Sequence, residues 1–553
     1  MPEDRHVSTG AAPAAFAFVL SRPRLFALLL GLAAALGFQP LGLWPVSLLA
    51  MGLLALLVYH ARNWRRAAWL GWLFGWAHFT VSNNWIAQAF TFQADMPAAL
   101  GYGAVPLLAV YLAVYPAIAA GVAHALARRG GASREGTVRA EAPGEGVTPF
   151  LLLFAAAWIV TEWLRGWVFT GYAWNPFAMV LLGPFDRPGL AAIAPVMGTY
   201  AASGIAVLIS GALLACLAQR RWVPAALVGA LLTVGMYLPP MAGRDGTLAV
   251  TVVQPNIPQE NISDPTKFED SYRRLAALSP RPRDMTGSRL VLWPESGMAD
   301  YLRDGYPQRY YNQTTALGSP EFARRRLGAT VGADSLLLTG AVDLEIGRDE
   351  TGRERALGAR NAVTALDAKG RILAGYSKAE LVPYGEYLPF RAVLEPLGLS
   401  RLVAGSIDFV PGPGPQTLEL PGLAALSPQI CYEIVFPGQV TDRTRRPDFI
   451  YNPSSEGWFG SFGPPQFVAQ ARMRAIEEGL PVLRATTTGI SAVIDARGVV
   501  RHYLGMYVAG RIDTVVPPAA APTPFARLGN LLSLLWAALL LAGALVAMSR
   551  QRR

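Results

Sequence analysis

The stretch from Leu423 to Glu433 reads Leu-Ala-Ala-Leu-Ser-Pro-Gln-Ile-Cys-Tyr-Glu. Its apolar pattern predicts a strand over Leu423–Ile430 that ends directly before Cys431. A thiol at a strand end can present its sulfur to a substrate, and the backbone N–H groups that follow can stabilise an oxyanion. A cysteine beside an isoleucine is also typical of a small core residue, so the pattern alone leaves both roles open.

The surrounding region, residues 246–515, has the pattern of a water-facing α/β domain. Helical spacing of apolar residues predicts helices over Lys267–Leu278 and Phe467–Glu478. Short apolar or alternating runs predict further strands at Leu248–Gln254, Leu290–Trp293, Ser335–Val342, Asn361–Leu366, Ile372–Tyr376, Phe449–Asn452 and Ser491–Ile494.

Two charged residues follow predicted strands in the same way as the cysteine. Glu295 comes after the strand that ends at Trp293, and Lys378 comes after the strand that ends at Tyr376. Each of them alone is more typical of a turn or of a solvated surface. Lysine is rare in this arginine-rich chain, however, and it differs from arginine in being a compact charge with a tunable pKa.

A cysteine nucleophile needs a base to take its proton and a cation to stabilise the developing negative charge. Only His502 of the five histidines lies in the α/β region, which excludes a histidine-rich zinc site there. A Ser-His-Asp triad would have to use that one histidine. Glutamate and lysine are therefore the available partners for Cys431.

The rest of the chain has the composition of a membrane protein. The chain is 52% hydrophobic and 16% charged, against about 25% charged in soluble domains. We expect a membrane domain over residues 1–245 with seven helices, and an eighth helix with a cytoplasmic tail over residues 516–553. The eight apolar runs are Leu25–Phe38 (extended back toward Ala15), Trp44–Tyr59, Ala67–Ile86, Leu100–Leu126, Phe150–Val168, Val196–Leu217, Trp222–Leu238 and Leu528–Met548.

The net charge of +10 is concentrated in short arginine clusters beside these runs. With eight spans every cluster falls on one side, which the positive-inside rule assigns to the cytoplasm. The α/β domain would then lie outside the cell membrane, and the basic residues act as topology signals rather than as a nucleic-acid site. The clusters contain Arg5, Arg22, Arg24, Arg62, Arg65, Arg66, Arg128, Arg129, Arg134, Arg139, Arg220, Arg221, Arg550, Arg552 and Arg553.

Three strings in the α/β region resemble the catalytic motifs of the nitrilase (carbon–nitrogen hydrolase) superfamily. They are Trp293–Glu295, Tyr376–Lys378 followed by Leu381–Tyr387, and Gln429–Glu433. With the membrane spans, the chain resembles the bacterial apolipoprotein N-acyltransferases over nearly its whole length. The resemblance implies a multi-span α-helical membrane bundle plus an α/β nitrilase-like domain, folded as an αββα sandwich. Supporting strings are Glu162–Trp167, Gln254–Gln259, Asn452–Gly460 and Ala471–Ala475.

The resemblance also implies a reaction, the last step of lipoprotein maturation. An acyl chain moves from a membrane phospholipid to the N-terminal α-amino group of the diacylglyceryl-cysteine of a lipoprotein, through a thioester and by a ping-pong mechanism. Carried over motif by motif, Cys431 is the nucleophile, Glu295 the general base and Lys378 the cation beside the oxyanion.

The same resemblance assigns supporting or substrate-contacting roles to four more residues. Glu386 would position the lysine, the backbone N–H of Tyr432 would donate to the oxyanion, and Glu433 and Trp458 would complete the site. The implied enzyme needs no metal and no cofactor. It would reside in the bacterial inner membrane as a multi-pass protein, with its catalytic domain on the periplasmic side.

Two stretches depart from the family pattern. Ser455–Gly457 stands where the family often has Asn-Asp-Ala, and Glu260–Ser263 stands where it often has a Lys-Trp pair. We expect both stretches to lie in loops near the substrate, where they affect lid contacts and lipid preference.

Glu162 and Arg165 lie about one helical turn apart near the outer end of the fifth apolar run. Charged groups at such a place are rare and are usually paired or functional. Two interpretations stay open: an ion pair that anchors the helix at the interface, or a direct role toward the substrate.

Two rival functions use the same sequence features. A membrane-tethered amidase would fit the three motif residues but gives no reason for eight spans. A membrane scaffold or transporter with a binding domain outside would not need Glu295, Lys378 and Cys431 together.

Overall fold

The computed structural model describes residues 14–92, 97–131, 146–240, 243–394, 396 and 408–552. Four of the arginines in the topology argument, Arg5, Arg134, Arg139 and Arg553, lie outside the described residues.

In the described part of the chain, ten α-helices precede the first strand. Nine of them coincide with the seven predicted apolar runs, and the short α5 follows the third run. The first run is divided at Arg22 and the fourth at Ala113. The helices are α1 (Ala14–Ser21), α2 (Pro23–Ala35), α3 (Trp44–Tyr59), α4 (Trp64–Ser82), α5 (Ile86–Ala89), α6 (Leu100–Leu112), α7 (Val114–Gly131), α8 (Val147–Arg165), α9 (Ala194–Ala218) and α10 (Trp222–Tyr237).

Four helical segments of the described chain are long and apolar enough to cross a membrane. They are Leu100–Arg129, Val147–Arg165, Leu190–Ala218 and Asn530–Gln551. Helices α2, α3 and α10 are apolar but shorter. At 1.5 Å per residue, the 16-residue α3 spans about 24 Å, somewhat less than a hydrocarbon core of about 30 Å. The total of eight spans therefore stays a prediction.

Small residues allow the membrane helices to pack closely. Gly71 of α4 lies against α7, where an added Cβ would stand 2.5 Å from the carbonyl oxygen of Pro116. Close backbone approach of this kind is typical of helix contacts in lipid, where the hydrophobic effect does not drive helices together. The core they form includes Met51, Leu54 and Phe154, all with 0% exposure.

The described residues of the α/β region form two six-stranded sheets. The first sheet has the order β12-β1-β2-β3-β4-β5 and the second the order β11-β10-β9-β8-β7-β6. Strands β1, β2 and β3 are parallel to one another, as are β7, β8 and β9. The strands are β1 (Ala249–Gln254), β2 (Arg289–Leu292), β3 (Ser335–Arg348), β4 (Glu354–Asp367), β5 (Ile372–Ser377), β6 (Leu418–Leu420), β7 (Ala424–Pro428), β8 (Phe449–Ser454), β9 (Val482–Thr486), β10 (Ser491–Ile494), β11 (Val500–Leu504) and β12 (Gly510–Val515).

The two sheets pack against each other with helices on their outer faces, which confirms the predicted αββα sandwich. Leu292 and Leu338 of the first sheet share a core with Leu426 and Ile450 of the second. Leu275 and Leu327 cover the outer face of the first sheet, and they lie in the helices Phe268–Ala277 and Pro320–Val331. The helices after β1 are α11 (Phe268–Ala277), α12 (Gln308–Thr314), α13 (Pro320–Val331), α14 (Arg391–Leu394), α15 (Gly463–Glu478), α16 (Pro524–Leu528) and α17 (Asn530–Arg552).

Helix α15 joins the sandwich to the membrane helices. Its Phe467 and Ala471 belong to the core of the sandwich, whereas its Met473 and Ile476 belong to the core of the membrane helices. Its buried Arg472 donates to the carbonyl oxygens of Gly183, Pro184 and Arg187, which lie between α8 and α9. Helix α15 therefore attaches the second sheet to the membrane helices.

Candidate active site

Cys431 lies where β7 turns into a short 3₁₀ helix, Cys431–Val435. Its backbone has a φ of +50°, in the left-handed region that non-glycine residues seldom adopt. Such a strained residue persists only when its surroundings hold it, and strained residues of this kind cluster at functional sites. The residue is 5% exposed, and the Ser454 Oγ lies 3.4 Å from its Sγ, within reach of a hydrogen bond.

Glu295 follows β2 after a short turn and is held from both sides. Its Oε1 accepts from Asn361 Nδ2 at 2.7 Å, and its Oε2 accepts from the backbone N–H of Ser455 at 2.8 Å. Gly340 of β3 permits the turn, because a Cβ there would lie 1.9 Å from the carbonyl oxygen of Glu295. The carboxylate therefore has a fixed orientation before any substrate binds.

Lys378 follows β5 and is 1% exposed, so it is not a solvated surface charge. Its Nζ lies 2.9 Å from Glu386 Oε2 and 3.6 Å from Glu295 Oε1. Asn361 Nδ2 also donates to Glu386 at 3.0 Å, so this amide connects the two carboxylates. The structure therefore brings the predicted Glu295, Lys378 and Glu386 into one network.

Glu433 is buried and bonds to the backbone on both sides of the site. Its Oε1 accepts from the Tyr376 hydroxyl at 2.6 Å and from the Ala379 N–H at 2.7 Å. Its Oε2 accepts from the Ile430 N–H at 2.7 Å. Glu433 therefore connects the segment of Lys378 with the turn of Cys431, which is a positioning role.

The electrostatics of the site keep the thiol protonated at rest. Burial raises the pKa of Cys431 to about 12, the Glu295 carboxylate adds to the rise, and Lys378 opposes it. Burial lowers the pKa of Lys378, but the carboxylates of Glu386 and Glu295 outweigh burial and hold that pKa well above its usual range. A thiol in this environment would have to lose its proton as it attacks a substrate, and the charge of the Glu295 carboxylate acts on Cys431.

Tyr432 and Trp458 lie where the sandwich meets the membrane half. The Tyr432 hydroxyl donates to the carbonyl oxygen of Gly171 at 3.5 Å. The ring of Trp458 packs edge-on against Phe92, with centroids 5.6 Å apart. Both side chains therefore contact segments of the membrane half.

The two departures from the family pattern lie together beside the site. Ser455 binds Glu295 through its backbone N–H, which any residue could provide at this position. Gly457 lies against Gln259, because an added Cβ would stand 2.8 Å from the Cβ of Gln259. The 3₁₀ helix Gln259–Asn261 contains the start of the second departure.

Glu162 and Arg165 are both buried in α8, and the interpretation as an ion pair stays a prediction, because their charges interact but no direct bond joins them in the described part of the chain. Among the described residues the two side chains have separate partners. Glu162 Oε1 accepts from the N–H of Phe177 at 2.8 Å. Arg165 donates to the carbonyl oxygens of Tyr172 and Trp174 at 3.0 and 2.7 Å. Both residues hold the segment after α8, because its backbone groups have no helical partners there.

A charge swap at these two positions is therefore expected to be worse than either single change to alanine. Arginine at 162 would face a backbone N–H, which is also a donor, and glutamate at 165 would face two carbonyl oxygens, which are also acceptors. Each of these hydrogen bonds would therefore be replaced by a repulsive contact. The yield of folded protein after detergent extraction, measured for the swap and for the two alanine variants, checks this. A swap that restores the yield would contradict these assignments.

Asn361 and Ser454 were missed by the sequence analysis. Asn361 lies in a predicted strand of apolar residues, and a polar amide in a buried run is a signal that could have been used. Ser454 ends β8, and a serine at a strand end has no distinguishing pattern.

Comparison with known proteins agrees with the arrangement of the two halves. Residues 30–212 match the family described as apolipoprotein N-acyltransferase N-terminal domain, and residues 249–504 match the carbon-nitrogen hydrolase family. An apolipoprotein N-acyltransferase of Rhodopseudomonas palustris is 33% identical over 92% of both chains. One of Bradyrhizobium diazoefficiens is 32% identical over 96% of this chain and 95% of its own length.

Solved structures with a related fold were also found. An amidase from Nesterenkonia sp. is 21% identical, covers 50% of this chain and 93% of its own, and has a TM-score of 0.31.

Proposed function

The chain belongs to the apolipoprotein N-acyltransferase family, and from this premise we propose that it transfers an acyl chain from a membrane phospholipid to the α-amino group of a diacylated lipoprotein. The observation that carries the proposal is the network of Glu295, Lys378 and Glu386 beside the strained, buried Cys431.

In the first half-reaction, Cys431 Sγ attacks the ester carbonyl carbon of the phospholipid. The thiol proton moves to Glu295, and a negative charge develops on the carbonyl oxygen, where Lys378 and the backbone N–H of Tyr432 stabilise it. When the tetrahedral intermediate collapses, the C–O bond breaks. The proton on Glu295 passes to the departing lysophospholipid oxygen, and a thioester remains on Cys431.

In the second half-reaction, the neutral α-amine of the lipoprotein attacks the thioester carbonyl. A C–N bond forms, the C–S bond breaks, and the amine proton returns to the sulfur through Glu295. Because both steps pass through an oxyanion at the same position, one set of donors serves both.

A membrane-tethered amidase is the alternative, and the fate of the acyl group separates the two functions. Incubate the purified full chain with a phospholipid that carries a labelled acyl chain, and locate the adduct by mass spectrometry. We expect the label on Cys431 and not on Cys216, which is the other cysteine of the chain. A diacylated lipopeptide with a free N-terminus should then take up the label, while the N-acetylated peptide should not. Release of the label as free fatty acid at an unchanged rate with either peptide would favour the amidase.

We propose that the enzyme resides in the bacterial inner membrane with the sandwich on the periplasmic side. The arginine clusters on alternate loops support this orientation, and the four long apolar helices support membrane insertion.

A reporter that is active only outside the cytoplasm tests the orientation. Inserted at the exposed Arg283, between α11 and β2, it should be active, and fused after Arg553 it should be silent. The opposite pattern would exclude the eight-span topology.

A further inference from the structure

The hydroxyl of Ser454 lies between the thiol of Cys431 and a carboxylate. Its Oγ is 3.4 Å from Cys431 Sγ and 3.2 Å from Glu456 Oε1. A hydroxyl has one proton to donate, so it can donate to either of these acceptors but not to both. Ser454 is fully buried at the end of β8, which leaves the hydroxyl few other orientations.

A buried cation neutralises the carboxylate. Arg484 of β9 forms an ion pair with Glu456, and both side chains have 0% exposure. Without Arg484, the Glu456 carboxylate would add a negative charge close to the sulfur and would disfavour a thiolate. With Arg484, the pair is close to neutral and leaves Glu456 as a fixed hydrogen-bond acceptor.

The same arginine supports the backbone of the nucleophile. Arg484 also donates to Asn452 Oδ1. Asn452 Nδ2 donates in turn to the carbonyl oxygens of Gln429 and Cys431, at 2.5 and 3.4 Å. One buried guanidinium therefore holds both the turn that carries the sulfur and the acceptor that orients Ser454.

We propose that Ser454 is a further catalytic residue, whose hydroxyl turns from Glu456 to the sulfur and donates to it whenever Cys431 carries negative charge. That charge arises as the thiol loses its proton and again as the thioester breaks. Arg484 and Glu456 are positioning residues, which hold the hydroxyl in reach of the sulfur. The inference rests on the proposed role of Cys431 as nucleophile.

The geometry explains why a second donor is useful. Lys378 is already bound to two carboxylates, so its charge is largely balanced before the reaction begins. The hydrogen bond from Ser454 lowers the pKa of Cys431, in opposition to the burial that raises it. A hydrogen bond to a charged acceptor is about twice as strong as one between neutral groups, so the donation is strongest when the sulfur is negative.

The test is the reaction of Cys431 with iodoacetamide in the full chain, followed by mass spectrometry of the Cys431 peptide at several pH values. Ser454→Ala should raise the thiol pKa by roughly one unit. Tenfold less thiolate, partly offset by its greater intrinsic reactivity, should slow alkylation about threefold at fixed pH. Single-turnover thioester formation should fall roughly tenfold. Ser454→Thr, which keeps the hydroxyl, should restore most of both rates.

Ser427→Ala is the matched control. Ser427 is also fully buried, and the change removes its hydrogen bond to the Val440 carbonyl oxygen at 2.8 Å, but the described structure shows no contact between Ser427 and the sulfur. Its alkylation should stay as in the wild type. Equal slowing by Ser454→Ala and Ser427→Ala, or no effect of Ser454→Ala, would overturn the inference. A wild-type chain that is never acylated on Cys431 would instead refute the proposed function.

Discussion

The variant Glu295→Gln is expected to lose roughly 100- to 10,000-fold in the rate of thioester formation, the usual contribution of a general base. Its thiol should at the same time react faster with iodoacetamide. Burial is the main cause of the high pKa of Cys431, but the Glu295 carboxylate raises that pKa further, and glutamine removes this charge. Alkylation needs only the thiolate, whereas thioester formation also needs Glu295 to carry the thiol proton to the departing lysophospholipid oxygen.

Opposite changes in the two rates separate a chemical role of Glu295 from a loss of structure. Single-turnover acylation with a fluorescent phospholipid and alkylation by iodoacetamide, on the same preparation, provide the two measurements. Glu345→Gln is a matched control, because Glu345 is paired with Arg360 on the β3–β4 hairpin and has no contact with Cys431. If both rates fall together in Glu295→Gln, the residue supports the fold and is not the base.

The variant Lys378→Arg should slow thioester formation by about 100- to 1,000-fold, equivalent to about 3 to 4 kcal/mol of transition-state stabilisation. The side chain is 1% exposed, and its Nζ lies within 3.6 Å of both Glu295 and Glu386. A planar guanidinium is wider than an ammonium and binds carboxylates in a forked geometry, so it cannot occupy the same space beside the substrate oxygen.

Lys369→Arg is the control for this substitution. Lys369 is exposed in the turn between β4 and β5, so its side chain needs no defined geometry. The change from lysine to arginine at this position should leave the acylation rate unaltered. If Lys378→Arg forms the thioester at a rate within a few-fold of the wild type, another donor must stabilise the oxyanion.

The strands that the sequence predicted are those with uninterrupted apolar runs. Strand Ser491–Ile494 was predicted with its observed bounds, and helix α3 with both of its ends. Strands β9, β11 and β12 were missed because Arg484, Arg501 and Arg511 interrupt their apolar patterns. The partners of Arg484 are Glu456 and Asn452, which lie outside its local sequence pattern. Arg501 and Arg511 pair with the nearby Asp495 and Asp513, so these two strands alternate charged and apolar residues without an apolar run.

The candidate site was predictable to the extent that its residues follow strands. Glu295, Lys378 and Cys431 each come after a predicted strand. Glu295 and Lys378 follow β2 and β5 of the first sheet and Cys431 follows β7 of the second, so the relation of the cysteine to the other two depends on how the sheets pack. The contact of Ser454 with the sulfur could not be predicted, because it depends on how β7 and β8 are aligned. The bonds of Glu162 and Arg165 to the segment after α8 could not be predicted either, because these partners are backbone groups of an irregular segment.

Helix α15 has consequences for how the protein is assembled in the cell. One of its faces completes the sandwich, and the other, with Ala469, Met473 and Ile476, completes the membrane core. A secreted fragment of residues 246–515 would expose this second face to water and is therefore prone to aggregate. We therefore expect the apolar helices of residues 1–245 to be inserted before the sandwich reaches its final packing. On this expectation, the sandwich does not mature as an independent soluble unit, and its quality control is linked to membrane insertion.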